Sequence, residues 1–104
     1  MGHLKRGDVF FADLGTKTRP WLVVQNDTGN YFSTRTIVVP LTSKIKNTLP
    51  THVVVCWGQL RSSAVQCEEI TTVEVGNNWT AVETLPSEIM KHVDDALKIA
   101  IGLG

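Results

Sequence analysis

Nothing in this chain approaches the roughly 20 consecutive apolar residues that a membrane-spanning helix needs. The opening M-G-H-L-K-R-G-D lacks the apolar core of a secretory signal. Arg6 stands where a myristoylation signal carries Ser or Thr. Cysteine is scarce: Cys56 and Cys67 are the only two, with no C-x-x-C, and His3, His52 and His92 are scattered. That excludes a disulfide framework and leaves no metal-ligand spacing. The expectation is a soluble, cytoplasmic protein with no membrane contact, no metal and no cofactor, its two thiols acting as small buried apolar groups. Repeats, linkers and low-complexity stretches are also absent, so the 104 residues make one domain (1–104) with a modest core.

Net charge is absent too, but only in the sum. Residues 1–61 carry eight Lys/Arg and three Asp/Glu, a local +5; residues 62–104 carry two and seven, a local −5. A neutral protein does not coat nucleic acid indiscriminately, whereas a basic half can form an anion-binding groove. The plainer alternative, in which the halves pair their surface charges, stays open.

Short β-type runs dominate the first three quarters: Val9–Leu14, Trp21–Gln25, Thr36–Leu41, His52–Trp57 and Ala64–Cys67. Turn signals separate them at 15–18, 26–30, 46–47 and 75–78. Pro40, inside one run, has no N–H for a ladder and predicts an edge strand or a bulge. After Pro86 the period changes: Ile89, Met90, Val93, Leu97, Ala100 and Ile101 recur at helical spacing, with Gly102 and Gly104 to stop them. The pattern predicts a mostly β barrel or sandwich with one C-terminal amphipathic helix.

Three polar landmarks punctuate these runs: K-R-G-D-V-F-F-A-D-L (5–14), R-P-W-L-V-V-Q-N-D (19–27) and V-V-P-L-T-S-K (38–44), followed by L-P-T-H-V (49–53). Arg19 and Thr42 fall at the ends of neighbouring strands, where a guanidinium fork and a hydroxyl can grip one phosphate.

In this order the landmarks resemble the MazF/PemK family of toxin–antitoxin ribonucleases, and the tail L-P-S-E-I-M-K-H-V-D-D-A-L-K-I-A-I-G-L resembles that family's closing helix. The resemblance covers nearly the whole chain. It implies an SH3-like small barrel, as in MazF, PemK and CcdB, with a C-terminal α-helix. It also implies a homodimer, a cognate antitoxin as partner, and metal-independent, sequence-specific cleavage of single-stranded RNA as the toxin of a type II system. It implies catalytic roles for Arg19 and Thr42, and in some members for an acidic residue at the place of Glu68.

The chemistry fits those residue types. Attack of an RNA 2′-hydroxyl on the adjacent phosphorus leaves a 2′,3′-cyclic phosphate and a 5′-hydroxyl through a crowded dianionic transition state. Arg19 can neutralise it with a charge that never titrates, and Thr42 can donate to a non-bridging oxygen. Glu68 is a candidate base if burial lifts its pKa. His3 lies near the start and His92 on the predicted helix; His52, inside an apolar strand, reads as a structural imidazole. Lys17, Ser43, Lys44 and Lys46 are candidate backbone contacts, and Trp21 and Trp57 candidate stacking platforms. Trp57, in the turn-like C-W-G-Q, is the aromatic expected to be exposed.

Two departures from the family pattern matter. Only Gly15–Thr18 separates Leu14 from Arg19, where many members carry a long glycine-rich loop. Glu69 and Thr71 replace the usual Gln and Arg, which places an anion beside the expected phosphate site. A catalytically weakened relative acting by binding, and a CcdB-like gyrase poison, are the alternatives; the Arg19/Thr42 pair argues against the latter.

Overall fold

The computed structural model describes residues 4–15, 17–46 and 48–104. Thr16 and Asn47 of the expected turns, and His3, lie outside the described residues. Among the described residues, seven strands and two helices follow in the order β1 (Asp8–Asp13), β2 (Thr18–Val23), α1 (Asp27–Phe32), β3 (Arg35–Thr42), β4 (His52–Val55), β5 (Ser63–Gln66), β6 (Thr71–Glu74), β7 (Glu83–Thr84) and α2 (Ser87–Ala100). The fold is mostly antiparallel β with a C-terminal helix, in the neighbour order β4-β5-β3-β2-β1-β7 with β6 also on β3.

Alternate strand residues feed two cores, because successive side chains point to opposite faces. Val9, Leu22, Val39 and Val65 meet Met90, Val93 and Ala96 of α2 on one face. Phe10, Trp21, Val23 and Val38 pack on the other, with Trp79 stacked on Phe10 at 4.7 Å between ring centroids. With both faces covered, the strands read as near-continuous apolar runs. Helix α2 carries Glu88 in its first turn and Lys98 in its last, complementing its dipole. Asp94 on it pairs with Arg6, which also donates to the Val24 carbonyl. Cys67 is buried as expected, and burial pushes its thiol up to about 12; Cys56 is exposed instead.

Pro40 lies in neither an edge strand nor a surface bulge. Strand β3 is central and changes partner on one side, pairing through Val38 with β6 and from Leu41 with β5. Pro40, fully buried, sits in that gap, where a missing N–H costs no ladder bond. Beyond it, Thr42 ends the strand opposite Ala64.

The end strands β4 and β7 are tied by the loop that follows β4. The Trp57 indole N–H donates to the Thr84 carbonyl (3.2 Å) and the Gln59 amide to Glu83 Oε2 (2.9 Å). Between them Gly58 has φ +57°, and any Cβ there would collide with the Glu83 carboxylate.

Candidate active site

Arg19 is the second residue of β2, paired with Ala12. Pro20 after it favours the extended backbone that the strand requires. Two residues on, and so on the same face, Trp21 is pinned by its indole N–H to the Ala12 carbonyl (3.2 Å). The Arg19 guanidinium carbon lies 5.6 Å from the Trp21 ring centroid. Its Nη2 donates to Gln66 Oε1 (2.9 Å) and to the Leu41 carbonyl (3.3 Å). Nε is buried without a partner, and Nη1 has no protein partner among the described residues. A guanidinium fixed on one nitrogen and free on another is arranged to receive an anion.

The Leu41 carbonyl that holds Arg19 immediately precedes Thr42. Thr42 Oγ1 accepts from the Lys44 amide (3.1 Å), which leaves its own O–H free to donate. Arg19 and Thr42 line one groove of about 360 Å³ with Lys17, Ser43, Lys44, Gln66 and Glu69. A smaller hollow of about 210 Å³ shares Thr42, Lys44 and Gln66 and runs on past Lys46 to His52. Four cations against one carboxylate make this surface anion-attracting in a chain of zero net charge. A larger hollow of about 470 Å³, between α1 and the end of β6, has no charged residue among the described residues that line it and offers a phosphate little.

The structure brings Arg19, Thr42, Lys17, Ser43, Lys44 and Lys46 together, sets Trp21 beneath Arg19, and separates Glu68 and Trp57 from them. Glu68 is not on a strand. It lies in the turn after β5, and its carboxylate accepts from Thr51 Oγ1 (2.8 Å) and pairs with His52 Nε2 (2.9 Å). Burial works to raise its pKa, but the bonds from His52, from its own amide and from Thr51 outweigh it, so the carboxyl is held below its ordinary value. The lift expected of burial is thus reversed. The turn sends the next side chain, Glu69, into the groove instead. Thr71 Oγ1 donates to the Glu69 carbonyl (3.1 Å).

Trp21 is 8% exposed, a buried support beneath Arg19 with no open face for stacking. Trp57 is 42% exposed, as expected, but its N–H is committed to β7, at the end of β4 remote from His52. His52 has both ring nitrogens engaged: Nδ1 accepts from the Leu49 amide (3.3 Å), so the proton resides on Nε2 toward Glu68. Gln66 escaped the sequence reading. Its only trace there is a lone polar residue in the run Ala64–Cys67.

Residues 5–101 match the family of PemK-like, MazF-like toxins of type II toxin–antitoxin systems. The chain is 40% identical over 111 residues, 96% of each chain, to the Endoribonuclease EndoA of Bacillus subtilis (strain 168). Among solved structures it resembles an endoribonuclease in complex with its cognate antitoxin from Mycobacterial species (TM-score 0.86, 27% identity, 97% of each chain). It also resembles an endoribonuclease from Mycobacterial species (TM-score 0.79, 30% identity, 99% of this chain and 95% of that one). A MazE–MazF structure from Deinococcus radiodurans shares the fold at 17% identity (TM-score 0.84, all of both chains). The groove thus lies on a known scaffold, and the chain belongs to the PemK-like, MazF-like toxin family of type II toxin–antitoxin systems.

Proposed function

We propose that this protein is an endoribonuclease toxin that cleaves single-stranded RNA at short sequence sites, without a cofactor, and is restrained by a cognate antitoxin. The observation that carries the reading is the Arg19 guanidinium, anchored through Nη2 with Nη1 free, in one groove with the undonated Thr42 hydroxyl. In the reaction the 2′-oxygen bonds to phosphorus and the P–O5′ bond breaks. The 2′ proton is lost and the 5′-oxygen gains one, giving a 2′,3′-cyclic phosphate and a 5′-hydroxyl. Arg19 neutralises charge on the non-bridging oxygens and Thr42 donates to one of them. Lys17, Ser43, Lys44 and Lys46 hold the flanking backbone.

The likeness to an endoribonuclease over 96% of both chains supports the activity, and a neighbour bound to its cognate antitoxin supports the partner. The active species is a homodimer, for which sedimentation at micromolar concentration should give twice the chain mass.

The test is digestion of a long mixed-sequence RNA in EDTA by wild type and by Arg19→Ala. Discrete cuts ending in cyclic phosphate, lost in the variant, are expected. A folded wild type that makes none would leave a toxin that acts by binding.

A further inference from the structure

An arginine that must meet a crowded phosphorane has to be aimed. Among the described residues no carboxylate hydrogen-bonds or pairs with Arg19. Its anchors are a carbonyl at 3.3 Å and the side-chain amide of Gln66 at 2.9 Å, while its Nε, enclosed, has no hydrogen-bond partner among the described residues. The shorter of the two bonds therefore decides where the guanidinium points. We propose that Gln66 is the positioning residue of this ribonuclease, fixing Arg19 through a neutral acceptor that leaves the guanidinium charge undiminished for the substrate phosphate. The inference rests on the function proposed above.

Three observations carry it. A guanidinium only donates, so the amide oxygen of Gln66 has to face Arg19, and the amide orientation follows from chemistry. Gln66 ends β5 opposite His52, beside the Ala64–Thr42 pair, so the strand ladder that places Thr42 also places the anchor of Arg19. Its side chain lines both the groove and the adjoining hollow, and its NH2 group has no protein partner among the described residues. The amide is thus a hinge-pin between the two cavities, with its acceptor on Arg19 and its donors left over.

The residue type is part of the inference. Glutamate at 66 would bind the guanidinium more tightly through a charge-assisted pair, but would cancel the charge that the transition state needs and put a second anion in the groove. Methionine would keep the volume and lose the acceptor. The two substitutions therefore move stability in different directions and activity in the same one.

The experiment compares wild type, Gln66→Met and Gln66→Glu in steady-state cleavage of one RNA over a range of substrate concentrations, with melting temperatures for each. Gln66→Met should lower kcat about 10- to 100-fold with KM changed less than threefold, as expected when a catalytic group is misdirected while substrate binding is kept. Gln66→Glu should melt at or above the wild-type temperature and yet lose at least as much kcat, a combination that a merely structural role does not produce. Wild-type cleavage by Gln66→Met, or an active Gln66→Glu, overturns the positioning role alone. Loss of kcat that simply follows a lowered melting temperature in both variants overturns it as well. Failure of wild type itself to cut RNA overturns the proposed function and this inference together.

Discussion

Thr42 offers one hydrogen. Its oxygen is already taken by the Lys44 amide, so what the hydroxyl can contribute is its donor. Thr42→Val keeps the shape and removes that donor; its cleavage rate should fall on the order of 10²–10³-fold, while Thr42→Ser stays within about tenfold of wild type. Glu68 belongs to a different account. Its lowered pKa means that ionisation favours the folded state above the ordinary carboxylate value, and that this contribution is lost as pH falls through the lowered one. Glu68→Gln should therefore flatten the decline in stability below about pH 4.3, read by urea unfolding across pH 3–7. Arg19 and Thr42 were legible in the sequence because each is a polar residue at one end of an apolar run. Which of Glu68 and Glu69 enters the groove was not, since a turn decides it and the two carboxylates are chemically alike. Gln66 was illegible for a related reason: an amide one residue from a buried cysteine looks like the polar face of a strand.

Among the elements, α1 is the one that the sequence disguises. Asn26–Asn30 carries turn residues, yet it begins a short helix: the Asn26 side chain caps it by accepting from the Gly29 amide (2.8 Å). The buried Asn30 amide then satisfies every donor and acceptor it has. It donates to the Gln25 carbonyl and to Asp27, and accepts from Gln25 and from Thr36 (2.7 Å). Asn30→Ala strands the Thr36 hydroxyl inside the protein and should cost about 1–3 kcal/mol in denaturant unfolding, with cleavage by the surviving folded fraction unchanged. The strand runs and the closing helix were readable, because two covered faces demand unbroken apolar runs and a helix on one face demands a 3.6-residue period. The partner change of β3 was not. Pro40 announces a missing ladder bond, but only the sheet shows that β6 stops and β5 begins there.

At the scale of the molecule, the charge asymmetry along the chain becomes an asymmetry in space. The cations of the groove come from residues 17–46, and Glu69 is the single acidic residue admitted from the other half. Glu69→Gln removes that anion and should tighten binding of a 2′-blocked single-stranded RNA, by less as salt rises, in filter-binding titrations. The same molecule has its first core divided between the two ends of the chain. Val9 and Leu22 come from the first two strands, and Met90, Val93 and Ala96, which cover them, from the helix that follows all seven strands. A nascent chain halted before α2 leaves those valines and leucines wet and Arg6 without Asp94. On the proposed function, a copy stays harmless until α2 has docked, because before then the sheet that holds Arg19 and Thr42 is bare on that face.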